Sequence, residues 1–417
     1  MLYELFQWLQ DCCDIPGAGL FKYITFRAGV AVVISLLISM VYGGRIVRYL
    51  QKLQIGETVR DLGLEGQKAK EGTPTMGGVI IIMAILIPCL LMADLSNVYI
   101  LLMLLATVVM GAIGFLDDYI KVFRKNKKGL SGMFKILGQV LFGLIIALVM
   151  LYHEDIVVRV GMDEALLNKY EIVKTDFIED AAGNKIEYAY VKTTLTNVPF
   201  IKGNNFDYRT LLWFLGDNAM VWVWVVFVPI VIFIVTAVSN AANLTDGLDG
   251  LATGVSGIIG FTLAIFAYVS GNSIAAEYLN IHFLPGSGEL VIFSACFLGA
   301  SIGFLWYNSY PAQIFMGDTG SLTLGGIIAA MAILLRKELF IPLLCGIFLV
   351  ENLSVVLQVA WFKYTKKRYG EGRRILLMSP LHHHYQKKGM PETKIVTRFW
   401  IVGLLLAVLT VLTLKIR

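Results

Sequence analysis

Residues 98–119 read VYILLMLLATVVMGAIGFLDDY, an apolar run that ends in two adjacent aspartates. The apolar part, residues 98–116, is long enough to cross the hydrocarbon core of a bilayer as a helix, which takes about 20 residues. Lipid penalises charge, so acids placed directly at the end of such a helix need a reason. This stretch predicts a transmembrane helix that carries carboxylates to the membrane surface.

The rest of the chain has the composition that this stretch suggests. Of its 417 residues, 57% are hydrophobic and only 16% are charged, whereas soluble proteins hold about a quarter charged residues. The five cysteines lack the spacing of a zinc, redox or disulfide framework. The N-terminus has no basic region, so we expect no cleavable signal peptide. We predict an all-α polytopic membrane protein that forms a single domain over residues 1–417.

Ten apolar runs have the character of transmembrane helices. In chain order they are residues 21–41, 76–92, 98–116, 134–151, 220–238, 251–269, 290–306, 322–335, 340–361 and 399–414. The eighth run is the least convincing, and it decides the sidedness of everything that follows it. No internal repeat is evident, which argues against a transporter built from two related halves.

Basic residues orient these spans, because loops rich in Lys and Arg stay in the cytoplasm. The loop after span three contains Lys121, Arg124, Lys125, Lys127, Lys128 and Lys135, and ten Lys or Arg lie between residues 363 and 398, after span nine. The loop after span one is also basic, and the even-numbered loops are poorer in such clusters. The odd-numbered loops are therefore predicted to be cytoplasmic and both termini to lie outside.

The longest loop, residues 153–217, falls on the outer side. With residue 218 it is predicted to form an extracytoplasmic insertion, residues 153–218. It holds seven Lys or Arg against eleven Asp or Glu. Residues 170–179 and 185–194 have strand-like composition and flank a hairpin turn at residues 180–184. We interpret the insertion as a small β-hairpin that decorates the surface and carries no catalytic residue.

Two neighbouring carboxylates, Asp117 and Asp118, follow span three directly. Adjacent carboxylates repel each other, and a nearby cation relieves that repulsion. Such a pair suits a hard divalent metal ion, or a base that takes a proton from a phosphate. The alternative is an ordinary helix end with interfacial charge.

Two later segments combine acids, amides and glycines. Asn243, Asp246 and Asp249 recur every three residues after span five, so a helical turn would bring them near one face. A polar turn between spans is the alternative. Asp318 stands between glycines just before span eight, where it either serves a site or caps the helix.

Two loops contribute cationic or hydroxyl groups. His382, His383 and His384 follow span nine, where histidine can contact phosphate, exchange a proton or bind metal; a solvated basic loop is the alternative. Lys70 and Thr75 lie in a glycine-rich loop after span one that lacks the Walker A order. A phosphate or carbohydrate contact there competes with a simple turn before a helix.

All five of these segments follow odd-numbered spans, so they open onto the same, basic face. Glu351, inside span nine, is the exception at mid-depth, and we interpret it as a buried, hydrogen-bonded contact between helices. Acids for Mg²⁺, lysines for phosphate charge and histidine beside them fit phosphoryl transfer. The position at the interface suggests one lipid phosphate substrate and one soluble, phosphate-bearing donor.

These motifs resemble a known family. Asp117-Asp118-Tyr119, the segment NLTDGLDG at residues 243–250, the segment FMGDTG at 315–320 and the histidine loop resemble the polyprenyl-phosphate N-acetylhexosamine-1-phosphate transferases. Within that superfamily, GTPTMGG at 72–78 and PLHHHY at 380–385 are similar to the branch that transfers phospho-N-acetylmuramoyl-pentapeptide. Two features depart from the family pattern: the long loop at 153–217, and Gln386 where an acid is expected.

The resemblance implies Mg²⁺-dependent transfer of phospho-N-acetylmuramoyl-pentapeptide from its UDP carrier to undecaprenyl phosphate, which yields lipid I and UMP for the peptidoglycan cell wall. It implies an enzyme of the bacterial inner membrane with its active site in the cytoplasm. It also implies a homodimer in the lipid bilayer, with a lipid groove along span five and no nucleic-acid partner.

The resemblance also implies roles for individual residues. Asp318 is a principal Mg²⁺ ligand, Asp117 deprotonates the lipid phosphate, and Asp118 positions metal or phosphate beside it. Lysines would meet the phosphates, and the remaining groups would bind the donor and its nucleotide. The lysines are Lys70, Lys121, Lys125 and Lys135, and the donor-binding residues are Asn243, Asp246, Asp249, Asn308, His382, His383 and His384.

Three questions stay open at this point. A relative that transfers N-acetylglucosamine-1-phosphate shares the acids, and an ion-coupled transporter would also use membrane carboxylates, although along a pathway across the membrane. A single displacement by the lipid phosphate is favoured over a covalent aspartyl-phosphate, because aligned substrates need no protein nucleophile. Asp117→Asn, Asp118→Asn and Asp318→Asn are each expected to remove most activity while the protein still folds.

Overall fold

The computed structural model describes residues 2–13, 17–53, 72–124, 126, 129–179, 185–201 and 203–415. Lys70, Lys125 and the predicted hairpin turn at residues 180–184 lie outside the described residues. Most of the described chain is helical. In chain order the helices are α1 (Leu2–Cys13), α2 (Ile24–Leu37), α3 (Gly43–Lys52), α4 (Gly78–Met92), α5 (Val98–Val122), α6 (Gly132–Tyr152), α7 (Met162–Leu167), α8 (Ala219–Trp222), α9 (Trp224–Thr245), α10 (Leu251–Ser270), α11 (Ser273–Leu279), α12 (Leu290–Asn308), α13 (Gly317–Leu334), α14 (Ile341–Leu344), α15 (Gly346–Tyr369), α16 (Leu381–Lys387) and α17 (Glu392–Thr413).

Each of the ten predicted spans corresponds to a helical segment. Within the described ranges, nine segments are at least 18 residues long and apolar enough to cross a membrane. The tenth is α4, which has 15 residues and is about 22 Å long, shorter than the roughly 30 Å of bilayer hydrocarbon. The predicted all-α membrane architecture is therefore confirmed, whereas the position of the termini stays a prediction.

The first span is longer than predicted. Helix α2 continues through a π-helical turn, Ile38–Tyr42, into α3, which ends at Lys52. The extension is amphipathic, since Val47 and Leu50 are buried while Arg45 and Arg48 are exposed. The first basic residues of the predicted cytoplasmic loop therefore lie on a helix. A span predicted from an apolar run stops at the first polar residues, even where the helix continues.

Helix α13 lies at the centre of the bundle and begins five residues before the predicted span. All of its residues from 319 to 334 are buried, and it packs against α4, α5, α9 and α10. Gly325 lies so close to Ser239 on α9 that a Cβ atom there would come within 3.0 Å of backbone. A helix surrounded by other helices needs small residues rather than lipid-facing bulk, which explains the weak apolar signal of span eight.

The insertion after α6 contains the predicted hairpin inside a slightly larger fold. Strands β1 (Val158–Gly161), β2 (Glu171–Glu179) and β3 (Lys185–Lys192) form an antiparallel sheet in the order β1-β3-β2. Strands β4 (Leu195–Asn197) and β5 (Asn205–Asp207) form a second pair. The hairpin prediction is confirmed in its two strands; β1 was missed because it is only four residues long.

A buried polar network joins this insertion to the link between α13 and α14. Tyr208 donates to Glu338 over 3.0 Å, and the Asn197 backbone N–H donates to the carbonyl of Arg336 over 3.0 Å. Lys337 donates to the side chain of Asn197. Burial lowers the pKa of Lys337 to about 7. An even-numbered loop thus holds buried charges that the sequence pattern did not indicate.

Candidate active site

Three carboxylates from distant parts of the chain meet where α5 ends and α13 begins. Asp117 and Asp118 lie in the last turns of α5, and Asp318 lies in the first turn of α13. One oxygen from each lies within 4.8 Å of the others. The predicted convergence of these acids is confirmed.

Glycines allow the two helices to come this close. A Cβ atom on Gly114 would lie within 3.0 Å of the carbonyl oxygen of Asp318. Gly317 adopts a φ of +71°, which side-chain-bearing residues rarely adopt, and it faces the carboxylate of Asp118. Gly114 on α5 and Gly317 before Asp318 therefore allow the close approach of the two helices.

Asp118 is bound to the N-terminus of α13. Its carboxylate accepts hydrogen bonds from the backbone N–H groups of Asp318 (3.1 Å) and Thr319 (2.8 Å) and from the Thr319 hydroxyl (2.6 Å). These N–H groups belong to the first turn, which has no partner within the helix. Asp118 therefore caps α13 from another helix, and the interpretation of Asp318 itself as the helix cap is wrong.

Asp117 and Asp318 share two lysine side chains. Lys121 Nζ lies 2.5 Å from Asp117 Oδ2 and 3.2 Å from Asp318 Oδ2. Lys135 Nζ lies 3.0 Å and 2.6 Å from the same two oxygens. The lysines are only partly buried, with side-chain exposures of 37% and 19%. This acid–lysine cluster holds two anionic and two cationic groups at one helix end, within reach of solvent.

The cluster has the donor set of a divalent cation site. Hard cations such as Mg²⁺ prefer carboxylate oxygens, often two with water and phosphate completing the shell. The buried oxygen Asp117 Oδ2 accepts no backbone hydrogen bond from the described residues and instead faces the two lysine ammonium groups. Both oxygens of Asp118 are already used by α13. The residues present therefore fit a cation held mainly by Asp318, with Asp117 beside it.

Asn243, at the end of α9, joins the same cluster. Its amide donates to Asp318 Oδ1 over 2.9 Å and to the Ser321 hydroxyl over 2.8 Å. Because Lys121 and Lys135 bind the other oxygen of Asp318, the carboxylate is fixed on both sides. The predicted proximity of the Asn243 segment to the acids is confirmed.

Two other predicted residues hold loops together in this structure. Asp249 Oδ2 accepts from the Ala312 backbone N–H over 3.0 Å. Asn308 accepts from the Gly250 backbone N–H over 3.1 Å and donates to the carbonyl of Ile314. Both side chains are buried. They shape the turn in which the partly buried Asp246 lies, and the substrate contacts expected for them stay predictions.

The described part of the glycine-rich loop pairs with the segment before Asp318. Phe315 donates its backbone N–H to the carbonyl of Pro74 over 2.8 Å, and Gly77 returns a bond to Phe315 over 2.9 Å. Thr75 is buried beside Gly317. The loop therefore supports the start of α13 as well as preceding α4, and the phosphate or carbohydrate contact expected for it stays a prediction.

The three histidines have three different environments. His382 is fully buried and its Nδ1 lies 3.0 Å from Glu351 Oε2. His383 Nδ1 lies 2.8 Å from the amide oxygen of Gln386, and His384 Nδ1 accepts from the backbone N–H of Leu377 over 3.1 Å. Burial, with the nearby Lys388, lowers the pKa of His384. The three imidazoles therefore have three different partners and do not act as one metal-binding group.

The sequence did not indicate that Glu351 contacts one of the predicted site histidines. The interpretation as a buried, hydrogen-bonded contact is confirmed, but its partner is one of the site histidines. The three histidines follow Glu351 by about thirty positions along the chain, and no periodicity connects the two. Its position inside an apolar span was the one available signal.

An apolar groove of about 610 Å³ lies between α10, α12 and α17. Its lining includes Phe261, Leu298 and Leu404, and no charged side chain occurs among the lining residues that the structure describes. None of the predicted site residues lines it. The groove suits hydrocarbon and is separate from the acid–lysine cluster.

Comparison with known proteins adds a family match. Residues 165–336 match the family model described as Glycosyl transferase family 4. Residues 70–82 match the model described as Phospho-N-acetylmuramoyl-pentapeptide-transferase signature 1. The second match covers the glycine-rich loop that pairs with the start of α13.

Curated proteins named phospho-N-acetylmuramoyl-pentapeptide-transferase are similar to the chain over their full length. The protein from Flavobacterium psychrophilum is 59% identical over 417 residues. Those from Parabacteroides distasonis and Flavobacterium johnsoniae are 58% and 55% identical over 431 and 420 residues. In each case the match covers 100% of both chains.

Proposed function

The chain belongs to the phospho-N-acetylmuramoyl-pentapeptide-transferase family, and we propose that it moves phospho-N-acetylmuramoyl-pentapeptide from UDP to undecaprenyl phosphate. The products are lipid I and UMP, and the chain is a phosphoglycosyl transferase of a membrane. The observation that carries the proposal is the acid–lysine cluster, in which Asp117, Asp318, Lys121 and Lys135 meet at one helix end. Phosphoryl transfer needs this combination of charges.

In the reaction, an oxygen of the lipid phosphate forms a bond to the phosphorus that carries the sugar. The bond from that phosphorus to the oxygen of UMP breaks, and UMP leaves with the bonding electrons. Asp117 accepts the proton that the lipid phosphate still carries. Its oxygen Oδ1 is held by the Leu130 backbone N–H over 2.7 Å, which leaves Oδ2 to face the reacting groups.

Lys121 and Lys135 neutralise phosphate charge. In the substrate-free protein each ammonium is bound by carboxylates, and phosphate oxygens would replace part of these contacts. Because both side chains are partly exposed, the exchange does not require the helices to move. Asn243 holds Asp318 in place meanwhile through its amide.

We propose that Mg²⁺ is the cofactor, held mainly by Asp318, while Asp117 beside it serves as the base. A bound Mg²⁺ would withdraw electron density from the diphosphate and neutralise the charge that develops on UMP. Asp118 acts by holding the first turn of α13, and so Asp318, in position. A single displacement is sufficient, since the clustered groups align two phosphates without a protein nucleophile.

We assign donor recognition to Asp246, Asp249 and Asn308 and to the histidine helix α16, which packs against the same turn through His382. The active site faces the cytoplasm of a bacterial inner membrane, since the basic loops lie on that side. The protein acts as a homodimer, as its family does. Phosphate contacts by Lys70 and Lys125, which lie outside the described residues, are part of the same proposal.

The test is UMP release by the purified protein, given undecaprenyl phosphate, UDP-N-acetylmuramoyl-pentapeptide and Mg²⁺. We expect release that depends on both substrates and on Mg²⁺, and that is lost in Asp318→Asn. UDP-N-acetylglucosamine serves as the competing donor. Faster turnover of UDP-N-acetylglucosamine would favour the N-acetylglucosamine branch, and no release with either would contradict the proposal.

A further inference from the structure

Glu351 and His382 form a buried pair outside the acid–lysine cluster. Glu351 lies on α15 and His382 on α16, and neither side chain has any exposed surface. Besides the contact between Nδ1 and Oε2, the His382 backbone N–H lies 3.4 Å from the same oxygen. The carboxylate therefore fixes both the imidazole and the start of α16. A buried acid is seldom retained without such a partner.

The other edge of the imidazole abuts the turn between α9 and α10. A Cβ atom on Gly247 would lie within 3.0 Å of His382 Nε2, so the ring packs directly against the Gly247 backbone. Gly247 is not among the glycines with positive φ, so the site demands a small residue there and not a special backbone conformation. His382 Nε2 has no hydrogen-bond partner within the described residues.

The rest of the same turn is held by other groups. The Asp249 backbone N–H donates to Glu392 over 2.8 Å, and Gly250 donates to Asn308. These bonds fix its second half, whereas the His382 ring bears on Gly247, next to Asp246. The pair therefore packs against the first half of the turn.

We propose that Glu351 and His382 are positioning residues that hold the turn at residues 246–250 in the form that receives the nucleotide donor. This inference rests on the proposed function for the identity of the donor. His382 acts through Gly247 and does not touch the substrate, because its ring is buried beneath the turn. Glu351 acts through His382 by accepting a hydrogen bond from its Nδ1–H group.

The first experiment measures KM for the UDP donor and for the lipid phosphate separately. Removing a partner from a buried hydrogen bond changes an equilibrium by about 10- to 100-fold. We expect Glu351→Ala and His382→Ala to raise the donor KM by about that factor while the lipid KM stays within about twofold. Glu351→Gln keeps an acceptor oxygen and should rescue most of the effect.

The matched control is Glu338→Ala, which removes a buried glutamate that also accepts a side-chain hydrogen bond, from Tyr208, but away from the site. It should lower thermal stability without a selective change in donor KM. A donor KM unchanged in Glu351→Ala, or a lipid KM that rises equally, would overturn the proposal.

A double-mutant cycle tests the contact itself. Gly247→Ala places a Cβ against the imidazole, and His382→Ala removes the ring, so the double variant has no clash. We expect Gly247→Ala to lower the apparent melting temperature and raise the donor KM in the native background, and to do neither in the His382→Ala background. Additive effects would mean that His382 acts elsewhere.

The melting temperatures do not depend on turnover. If the wild-type protein released no UMP, the proposed function would fail, while the cycle in melting temperature would still decide whether His382 supports the turn. If the wild type is active and the cycle is additive, the function stands and this inference fails.

Discussion

The two adjacent aspartates should have separable roles, and Asp118→Asn is the change that shows it. Asp118 is 3% exposed and accepts three hydrogen bonds from Asp318 and Thr319 at the start of α13. An asparagine offers one acceptor oxygen, so its amide would face an N–H group that it cannot bind. Losing one charge-assisted bond costs about 1.5–3 kcal/mol, and losing the negative charge at a helix N-terminus costs about 0.3–1 kcal/mol more. The expected destabilisation is about 3 kcal/mol.

Asp117→Asn should cost far less stability. The Asn oxygen can still accept from the Leu130 backbone N–H, and the two lysines keep Asp318 as a partner. Pairs with partly exposed lysines contribute only about 0–1 kcal/mol. Both variants should lose most UMP release, Asp117→Asn through its chemistry and Asp118→Asn through displacement of Asp318.

The assay is thermal unfolding of the detergent-purified proteins without substrates, followed by tryptophan fluorescence, beside UMP release. One kcal/mol corresponds to about 2–4 °C for domains of 150–250 residues, so we expect Asp118→Asn to melt about 5 °C or more below the wild type and Asp117→Asn within about 2 °C of it. An Asp118→Asn protein as stable as the wild type, or an Asp117→Asn protein equally destabilised, would refute the assignment of Asp118 to the cap of α13.

Gly114→Val should abolish UMP release because its Cβ would meet the carbonyl of Asp318, whereas Gly132→Ala, where nothing lies within 4 Å, should keep near-normal activity; equal activities would argue against close packing of α5 on α13. Mg²⁺ added to the EDTA-treated wild type should raise its melting temperature and do so much less in Asp318→Asn, and an equal rise in both would place the cation elsewhere. Burial lowers the pKa of Lys337 from 10.5 to about 7 in the folded protein. Between these pH values the folded protein therefore binds fewer protons than the unfolded chain, and its stability should rise with pH. Lys337→Met should flatten this rise in melting temperature between pH 7 and 9.5, and a slope equal to that of the wild type would show that Lys337 does not titrate in this range.

The convergence of the acids could be predicted because it depends only on chain alternation. Each span reverses the side of the membrane, and basic residues fix which side is which. Asp117, Asn243 and Asp318 follow odd-numbered spans, so they had to open on one face. That argument needs no side-chain geometry, and the structure confirms it.

The division of labour between neighbours could not be predicted in the same way. Asp117 and Asp118 are chemically identical and adjacent. Only the direction in which each side chain points from α5 places Asp117 in the acid–lysine cluster and Asp118 at the N-terminus of α13. Likewise, Glu351 and His382 meet because α15 and α16 fold back on each other, and the sequence contains no period that encodes that return. Nor does any sequence pattern indicate that the ionisable side chains of Arg336, Lys337 and Glu338 are buried.

Because α13 is buried, the depth of the reaction centre in the membrane should not follow the thickness of the bilayer. Outer helices adjust their tilt when hydrocarbon chains lengthen or shorten, but Asp318 begins a helix that touches protein on all sides from residue 319 to 334. The depth of Asp318 in the membrane is therefore set by the neighbouring helices. Turnover should therefore vary little between vesicles of short and long acyl chains, even where the peripheral segments tilt to match the bilayer.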